Sequence, residues 1–237
     1  MLDIEKLIKD YEPNEQAIEL VRSTKVVLLA GITGAGKDTI KKRLLKMPYF
    51  RDIVSHTTRL PRINNGKTEE NGVDYHFIDQ PTAMEMLQKR EFVEAKFVHG
   101  TIYGTSVAEI KLAYNQNKVA ITDIDVQGVA EYEKLSPCGI AIFIVPPTYQ
   151  TWIERLKKRY KTEADFQAEW PKRRQSSIEE LKHALEVPYY HVIINDDLDD
   201  AVQICHEIIE RGDIFSSRDD HARLAARSLL DELEKIH

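Results

Sequence analysis

The chain has 237 residues, enough for one sizeable hydrophobic core, and its 42% hydrophobic and 30% charged residues are typical of an ordinary folded protein. Its net charge of −6 does not indicate a general surface for nucleic acid or for an acidic membrane, so any functional basic residues are expected to be local. Because the sequence shows neither a signal peptide nor an apolar run long enough to cross a bilayer, we expect a cytoplasmic protein.

The first 22 residues show the apolar spacing of an amphipathic helix that is broken near Pro13. Leu7 and Ile8 belong to the first apolar stripe, and Ile18 and Val21 belong to the second. No residue in this segment indicates chemistry. We therefore expect it to pack on the main domain or on a second subunit.

Residues 25–39, K-V-V-L-L-A-G-I-T-G-A-G-K-D-T, carry the clearest functional signal. The apolar run 26–30 predicts a strand that is buried on both faces of a parallel sheet. Three glycines then permit turns with positive φ, and a helical pattern begins at Lys37. A strand, a glycine loop, a lysine and a helix in this order predict a phosphate-binding loop, where backbone N–H groups and the helix dipole favour an anion. A simple connecting turn is the alternative.

The residue after Lys37 departs from the usual form of such a loop, which has Ser or Thr there to reach the metal on a nucleotide. Asp38 takes that position here, and Thr39 follows one step later. Asp38 either holds Mg²⁺ through water or occupies the first helical turn, where a carboxylate is favoured. Both interpretations stay open at this point.

Two arginines in the segment 55–62, S-H-T-T-R-L-P-R, indicate a second anion site after a short strand at 52–55. Arg59 and Arg62 lie three residues apart with a proline between them, which suits a forked grip on a phosphate. A solvated basic loop is the alternative. The elements expected next are a mobile surface loop at 63–71, strands at 73–77 and 92–98, a helix at 81–90, and a turn at 101–106 that leads into a helix to about residue 117.

Carboxylates mark two of the predicted strands. Glu94 lies inside one strand, and the strand 119–121 places Asp123 and Asp125 at its carboxyl end, where open α/β sheets bind their ligands. Residues two apart on a strand point the same way, which favours a functional pair. Solvated or helix-capping carboxylates are the alternative.

The last third of the chain predicts a basic helix and a candidate lid. A helix that starts at Pro146 places Arg155 and Arg159 on one face at i, i+4, where like charges repel unless an anion lies between them. The polar, irregular segment 160–171 is the candidate lid, and a long helix runs from Lys172 to about residue 186. The other expected elements are strands at 140–145 and 192–194, a capping segment at 195–198, a break at 213–217 and a final helix at 222–236.

The two cysteines, Cys138 and Cys205, lie far apart and lack the spacing of metal ligands. Each belongs to an apolar pattern. We therefore expect two core residues rather than a disulfide or a metal site.

Seven stretches of the sequence, taken in order, resemble guanylate kinase, a family of P-loop nucleoside monophosphate kinases. They are G-I-T-G-A-G-K, S-H-T-T-R-L-P-R, N-G-V-D-Y-H-F, F-V-E-A-K-F, I-Y-G-T-S, D-I-D-V-Q-G and V-I-I-N-D-D-L-D. The resemblance implies an α/β P-loop kinase fold, in which helices flank a parallel sheet core and a small mixed α/β NMP-binding insertion and a lid are attached. The implied domains are a helical extension at 1–23, the kinase domain at 24–212 with the insertion at 59–103 and the lid at 156–174, and a helical extension at 213–237.

The resemblance also implies a role for individual residues. The catalytic residues would be Lys37, Arg155, Arg159 and Arg173, with the arginines closing over the transferring phosphoryl group. The ATP-binding residues would be Gly31, Thr33, Gly34, Ala35, Gly36, Lys37, Asp38, Thr39 and Asn195. The GMP-binding residues would be Ser55, Arg59, Arg62, Tyr75, Glu94, Tyr103, Thr105 and Asp123. Mg²⁺ would be reached, mostly through water, by Thr39, Asp38 and Asp125.

Guanine recognition suits these residue types. The N–H groups at N1 and N2 of the base match carboxylate acceptors such as Glu94 and Asp123, and its O6 atom matches a hydroxyl donor from Ser55 or Thr105. Arg59, Arg62 and Tyr75 would then take the phosphate of the same nucleotide, and Tyr103 would complete the pocket.

The implied activity is phosphoryl transfer from ATP, with Mg²⁺, to GMP or dGMP in purine nucleotide metabolism. The acceptor oxygen is already ionised at neutral pH, so catalysis requires positioning and charge neutralisation rather than a general base. We expect ATP and GMP or dGMP as partners, no nucleic acid or membrane, and a monomer or homodimer. A ribose 1,5-bisphosphate kinase-like activity, which the Gly-Lys-Asp form of the loop favours, and a non-catalytic protein-binding module are the alternatives.

Overall fold

A computed structural model describes residues 4–64, 67–98, 100–136, 139–211 and 217–236. The helices are α1 (Ile4–Lys9), α2 (Glu15–Ser23), α3 (Lys37–Leu44), α4 (Gln80–Gln88), α5 (Val107–Asn115), α6 (Val126–Leu135), α7 (Tyr149–Lys157), α8 (Glu163–Glu186), α9 (Leu198–Arg211) and α10 (Ser217–Lys235). The strands are β1 (Val26–Gly31), β2 (Phe50–Asp52), β3 (His56–Thr57), β4 (Ile63–Asn64), β5 (Lys67–Thr68), β6 (His76–Phe77), β7 (Phe92–Val98), β8 (Thr101–Ser106), β9 (Val119–Asp123), β10 (Ile140–Val145) and β11 (Tyr190–Ile194). None of the described helices is both long and apolar enough to span a membrane.

The chain divides into two compact units. Unit 1 comprises Met1–Val26, Pro48–Thr122 and Ala130–Gly139. Unit 2 comprises Val27–Met47, Asp123–Val129 and Ile140–His237.

Parallel strands form the core of unit 2, in the order β11-β10-β1. In this register Leu29 pairs with Ile142, and Ile142 pairs with His191 on its other side. Every residue of β1 and of β10 is buried, as the continuous apolar runs predict for strands covered on both faces. Cys205 is buried on α9, whereas Cys138 lies outside the described residues.

Helix α10 is tied to β11 and α8 by polar contacts with backbone groups. The Val192 N–H donates to Asp219 Oδ1 at 2.6 Å, and Arg223 Nη2 donates to the Tyr190 carbonyl at 2.6 Å. Arg174 Nε on α8 donates to the Leu233 carbonyl at 2.8 Å. The final helix begins earlier than the expected residue 222, and most of the expected break at 213–217 lies outside the described residues.

Unit 1 contains the parallel pair β2–β9 and a mixed sheet with the order β6-β3-β8-β7. Helix α1 packs on β7, where the Tyr11 hydroxyl donates to the Phe92 carbonyl at 2.6 Å and accepts from the Phe92 N–H at 3.0 Å. Burial raises the pKa of Tyr11 to about 12, which keeps this hydroxyl neutral. The N-terminal segment therefore packs on unit 1, and α1 and α2 are separated near Pro13 as predicted.

Several local expectations for unit 1 are wrong. The second strand is Phe50–Asp52 rather than 52–55. The segment 73–77 contributes only His76–Phe77, because the chain turns at Gly72, whose N–H donates to the Tyr75 carbonyl at 2.8 Å. Within 63–71, where a mobile surface loop is expected, Ile63–Asn64 and Lys67–Thr68 form the antiparallel pair β4–β5.

The segment 101–106 is a strand, β8, and not the expected turn. Gly104 pairs with Ala95, and a Cβ at Gly104 would lie 2.7 Å from the Glu94 carbonyl oxygen. This glycine serves the close approach of two strands rather than a turn. Ser106 then caps α5 through a side-chain contact with the Glu109 N–H at 3.4 Å.

The expected irregular lid at 160–171 is wrong for most of its length, because α8 begins at Glu163. Thr162 and Asp165 form a capping box that starts the helix at Glu163, well before the expected start at Lys172. Pro171 lies inside α8, where Trp170 packs on Phe166 with ring centroids 5.5 Å apart.

Candidate active site

The glycine loop of unit 2 connects β1 to α3 and depends on two glycines with positive φ. Gly31 has a φ of 140°, and a Cβ there would lie 2.2 Å from the Ile144 carbonyl oxygen. Gly36 has a φ of 99°, and a Cβ there would lie 2.2 Å from Asn195 Nδ2. Because α3 begins immediately afterwards at Lys37, the helix N-terminus opens onto the loop. The predicted strand, loop and helix are confirmed.

Two buried side chains from distant parts of unit 2 bind carbonyl groups of the loop. Trp152 Nε1 donates to the Thr33 carbonyl at 2.7 Å, and Asn195 Nδ2 donates to the Ala35 carbonyl at 2.7 Å. Trp152 is 0% exposed and Asn195 is 6% exposed. These bonds satisfy two carbonyl groups of the loop and fix its path, which suits a loop whose N–H groups bind an anion.

Lys37 folds back onto the loop that precedes it. Its Nζ donates to the Gly31 carbonyl and, at 3.4 Å, to the Ile32 carbonyl. Burial lowers the pKa of Lys37, while the carboxylates of Glu180 and Asp38 act in the opposite direction. The ammonium group is therefore held beside the backbone where phosphate oxygens would bind.

Asp123 ends β9 and forms an ion pair with Lys41 of α3, with 2.5 Å between Nζ and Oδ1. Burial acts to raise the pKa of Asp123, but Lys41 and then Lys37 outweigh it and hold the pKa below its ordinary value. Sequence reasoning missed Lys41, although its place one helical turn after Lys37 is a usable signal. Asp123 thus belongs to unit 2, whereas the other residues implied for GMP belong to unit 1.

Asp125 lies beyond the end of β9, so the expectation that it and Asp123 project from one strand is wrong. Its Oδ1 accepts from the Gly128 N–H at 2.9 Å in the first turn of α6. This contact matches the helix-capping alternative.

Oxygen donors that suit Mg²⁺ occur near Lys37, but they do not form a cage. Asp38 and Thr39 are exposed in the first turn of α3, and Arg159 Nη2 lies 3.7 Å from Asp38 Oδ2. Among the described residues, no group of three or more His, Cys, Asp or Glu side chains is arranged to hold a metal. Mg²⁺ usually keeps several waters and binds one or two carboxylates plus substrate phosphates. Exposed carboxylates and a hydroxyl therefore fit an ion that arrives with a nucleotide.

The three arginines predicted to be catalytic have different settings in unit 2. Arg155 of α7 donates through Nη1 to the Asn195 carbonyl at 2.7 Å, and thereby supports the chain segment that holds the loop. Arg159 lies beyond the end of α7 at Lys157, so the expected shared helix face is wrong. Arg173 of α8 donates through Nε to the Tyr160 hydroxyl at 3.2 Å. The side chains of Arg159 and Arg173 are 52% and 37% exposed, which leaves them accessible to an anion.

Glu180 on α8 is a titratable residue near Lys37 that sequence reasoning missed. Its Oε2 atom is buried and has no hydrogen-bond partner among the described residues. Burial raises the pKa of Glu180 to about 7, opposed by Lys37 and assisted by Asp125. A glutamate on a polar helix gives no sequence signal, because most such residues face water.

Glu94 and Thr105 pair across β7 and β8 in unit 1. The Thr105 N–H donates to Glu94 Oε1 at 2.9 Å, and the two residues are 0% and 6% exposed, respectively. The side chain of Tyr132 on α6 contacts the side chain of Thr105, and this contact acts to lower the pKa of Tyr132. Burial, followed by the charge of Glu94, outweighs it and raises that pKa. A buried carboxylate beside two hydroxyl groups offers the acceptor and donors that the edge of a guanine base would satisfy.

The mixed sheet of unit 1 also carries Ser55, Tyr75 and Tyr103. The Ser55 carbonyl accepts from the His76 N–H at 2.8 Å at the start of β3. Tyr103 of β8 pairs with Thr57 and meets Tyr75 edge-on, with 6.2 Å between ring centroids. These three residues therefore belong to the same small sheet region as Glu94.

Arg59 occupies the centre of a compact cluster in unit 1. Its Nη1 and Nη2 donate to Glu69 at 2.5 and 2.9 Å, and its Cζ lies 4.7 Å from the ring centroid of Tyr75 and 5.5 Å from that of Phe77. The hydrogen bonds to Glu69 raise the pKa of Arg59, and the same contact lowers the pKa of Glu69. A solvated basic loop does not describe Arg59, whose side chain is 10% exposed, although Arg62 is exposed.

Comparison with known proteins identifies one family. The family model described as Guanylate kinase matches residues 23–212. Guanylate kinase 1 from Oryza sativa subsp. japonica is 34% identical over 200 residues, which cover 83% of this chain and 49% of that protein. A guanylate kinase from Methylobacillus flagellatus is 34% identical over 183 residues, which cover 77% of this chain and 86% of the relative. The chain thus spans about half the length of the Oryza relative and most of the bacterial one.

A solved structure supports the fold. The crystal structure of guanylate kinase from Anaplasma phagocytophilum matches with a TM-score of 0.60 at 23% identity, covering 82% of this chain and 89% of that one. This match confirms the predicted P-loop kinase fold, with its parallel sheet core, flanking helices and additional mixed sheet. Since the family model covers far more than half of its residues, the chain belongs to the guanylate kinase family.

Proposed function

We propose that this protein transfers the terminal phosphoryl group of ATP to the phosphate of GMP or dGMP. The observation that carries the proposal is that one chain of this family holds a glycine loop with an inward-folded Lys37 in unit 2 and a buried Glu94 in unit 1. The first suits the phosphates of the donor nucleotide. The second suits the N–H groups of a guanine base.

Glu94 is proposed to select guanine. Its carboxylate would accept from N1 and N2 of the base, while Ser55 or Thr105 donates to O6, and adenine would present the opposite pattern. Tyr103 would complete the base pocket, and Asp123 is proposed to contribute from the end of β9. A site built to bind a polar edge rejects a mismatched one strongly, because its buried groups are then left unpaired.

Charge neutralisation is proposed to drive the transfer itself. Lys37 and the loop residues around it would hold the ATP phosphates, and Arg155, Arg159 and Arg173 would stabilise the transferring group. An arginine supplied to such a transition state is worth about 10³–10⁵-fold in rate. Mg²⁺ bound with ATP would neutralise phosphate charge, held mostly through water by the three oxygen-bearing side chains Thr39, Asp38 and Asp125.

The proposed domains are the extension 1–23, the kinase domain 24–212 and the extension 213–237. The family model, which matches residues 23–212, supports the two boundaries of the kinase domain. We propose that the insertion 59–103 and the lid 156–174 exclude water from the bound nucleotides, because ATP would otherwise be hydrolysed. A cytoplasmic location and a monomer or homodimer complete the proposal.

Side-by-side phosphorylation assays test this proposal. The protein is incubated with ATP, Mg²⁺ and one acceptor at a time, namely GMP, dGMP, AMP, CMP, UMP or ribose 1,5-bisphosphate, and products are separated by chromatography. We expect ADP together with GDP or dGDP, and little product from the other acceptors. Phosphorylation of ribose 1,5-bisphosphate without GDP would replace the proposal by the first alternative. No turnover and no change in melting temperature with either nucleotide would favour the binding module.

A further inference from the structure

The hydrogen-bond donors of Arg59 are already partly committed in the structure. Nη1 donates to Glu69 Oε2 at 2.5 Å and to the Leu60 carbonyl at 3.0 Å, so both of its hydrogens are used. Nη2 donates one hydrogen to Glu69 Oε1 at 2.9 Å. Within the described part of the chain, the Nε hydrogen and the second Nη2 hydrogen have no partner. A guanidinium group can bind an oxyanion through either of two edges, and only the Nε–Nη2 edge of Arg59 is open.

Glu69 is fixed by more than its contact with Arg59. Its Oε2 also accepts from the Arg62 N–H at 2.8 Å, and its own N–H donates to the Arg62 carbonyl at 2.9 Å. The second of these bonds continues the β4–β5 ladder, in which Ile63 pairs with Thr68. The side chains of Glu69 and Arg59 are each 10% exposed. Hydrogen bonds and low exposure therefore hold the carboxylate in a fixed position, unlike a mobile side chain at the surface.

The aromatic neighbours of Arg59 restrict it further. Tyr75 lies under the guanidinium plane at 4.7 Å, and Phe77 lies at 5.5 Å. Stacking fixes the plane of the group, while Glu69 fixes its rotation within that plane. Together these contacts leave Arg59 one orientation in which to meet a substrate.

We propose that Glu69 is a positioning residue for the acceptor nucleotide, because it occupies the Nη1–Nη2 edge of Arg59 and turns the Nε–Nη2 edge toward the acceptor phosphate. This inference rests on the proposed function. The pKa of Glu69 lies below its ordinary value because of Arg59, so the carboxylate stays ionised at neutral pH.

The opposite role would make Glu69 an internal competitor that fills the place of the phosphate. Displacement of Glu69 would leave the Arg62 N–H and the Nη1 atom of Arg59 without their acceptor. The open edge of Arg59 also gives a phosphate two donors without any displacement. The contacts therefore favour positioning over competition, and the two roles predict opposite changes in GMP affinity.

The test compares GMP with guanosine, which lacks the phosphate. Dissociation constants for both are measured by calorimetry on the full chain and on the Glu69→Gln variant, whose amide keeps the side-chain shape but replaces one of the two oxygens that accept from Arg59 by an NH₂ donor. We expect GMP binding to weaken about tenfold and guanosine binding to stay within about twofold, because the lost contact concerns the phosphate alone. Glu70→Gln is the matched control, since it removes the same charge from the exposed neighbouring residue and should leave both constants unchanged.

Each outcome is decisive. An unchanged ratio of the two constants in Glu69→Gln, or tighter GMP binding, overturns the positioning role, and the second result would identify Glu69 as a competitor. If Glu69→Gln also loses guanosine binding, the same two dissociation constants are measured on Glu69→Asp, which keeps the charge on a side chain one methylene shorter. In an Arg59→Ala background, Glu69→Gln should have no further effect on the ratio, and an additional loss would contradict an action through Arg59. A wild-type chain that binds neither compound would instead overturn the proposed function.

Discussion

The side-chain amide of Asn195 donates a 2.7 Å hydrogen bond to the carbonyl oxygen of Ala35, which lies 160 residues earlier in the chain. Asn195 is itself held on both sides of its backbone. Its N–H donates to the Val145 carbonyl at 2.8 Å, and its carbonyl accepts from Arg155 at 2.7 Å. The shape of the glycine loop therefore depends on the residue that follows β11.

We predict that Asn195→Ala weakens the use of ATP more than it weakens the fold. Removal of the amide leaves a buried carbonyl without its donor, which costs about 1–3 kcal/mol of unfolding free energy. We expect kcat/KM for ATP to fall about tenfold, since a loop displaced by a fraction of an ångström no longer places its N–H groups well. Steady-state kinetics and urea denaturation measure the two effects. Asn115→Ala, at an exposed position on α5, is the control. A variant with a lower unfolding free energy but an unchanged kcat/KM for ATP would contradict this prediction.

Lys37→Met should abolish turnover and leave the chain folded. The substitution removes the ammonium group that two loop carbonyls hold in place, while the methionine preserves most of the side-chain volume. GDP formation over long incubations and circular dichroism check the two halves of the prediction. Lys42→Met, at an exposed position on the same helix, should retain turnover. If the two variants are equally active, Lys37 does not belong to the site.

Glu94→Ala should raise the KM for GMP by about tenfold or more, because unpaired polar groups at a buried recognition site are costly. The KM for ATP should change much less. Initial rates with one nucleotide varied at saturating levels of the other give both constants. Glu91→Ala, at an exposed residue just before β7, serves as the control. Equal increases for the two nucleotides would argue against a role for Glu94 in reading the base.

Stability should fall as the pH drops from 6.5 toward 4, in part because of His56. Burial, followed by the neighbouring His76, lowers the pKa of His56 from 6.5 to about 4, while Glu109 opposes the shift. Between these values the unfolded chain binds a proton that the folded chain does not, so the unfolding free energy decreases with falling pH. Allowing for solvent screening of a partly exposed ring, the contribution of His56 is about 1–2 kcal/mol.

His56→Gln should flatten this part of the pH–stability curve. Denaturation midpoints at several values between pH 4 and pH 7 measure the slope for the wild type and for the variant. His221→Gln, at an exposed position on α10, should keep the wild-type slope. Identical slopes for all three proteins would exclude His56 as a contributor.

Elements with a local signal are predictable from the sequence. The apolar runs of β1 and β10 and the glycine loop before α3 follow from residue type alone, since a strand covered on both faces tolerates few polar residues. At Gly104, residue type alone does not predict the structure. A glycine that admits a neighbouring strand and a glycine that makes a turn look the same in one sequence, and β8 is therefore read as a turn.

At the start of α8, two sequence patterns predict opposite structures. Pro171 and the polar composition of 160–171 predict irregular structure, yet the capping box of Thr162 and Asp165 begins a helix there. Packing of Trp170 against Trp152 and Phe166 supports the turn that contains the proline. Tertiary contacts of this kind are not visible in a single sequence.

In the candidate site, too, some residues are predictable from the sequence and others are not. Lys37, Arg59 and Glu94 are predictable because each belongs to a short motif. Their partners are not, because the contact of Arg59 with Glu69 depends on a hairpin that reads as a polar loop. Glu180 likewise reaches the neighbourhood of Lys37 only through the packing of α8.

Trp152, whose indole N–H is bound to the Thr33 carbonyl, and Trp170 are the two tryptophans of the chain, and their ring centroids lie 5.8 Å apart. Any adjustment of the glycine loop around a bound triphosphate alters the surroundings of this indole pair. Native ultraviolet emission should therefore report, without a dye or a label, when the donor end of the enzyme is occupied.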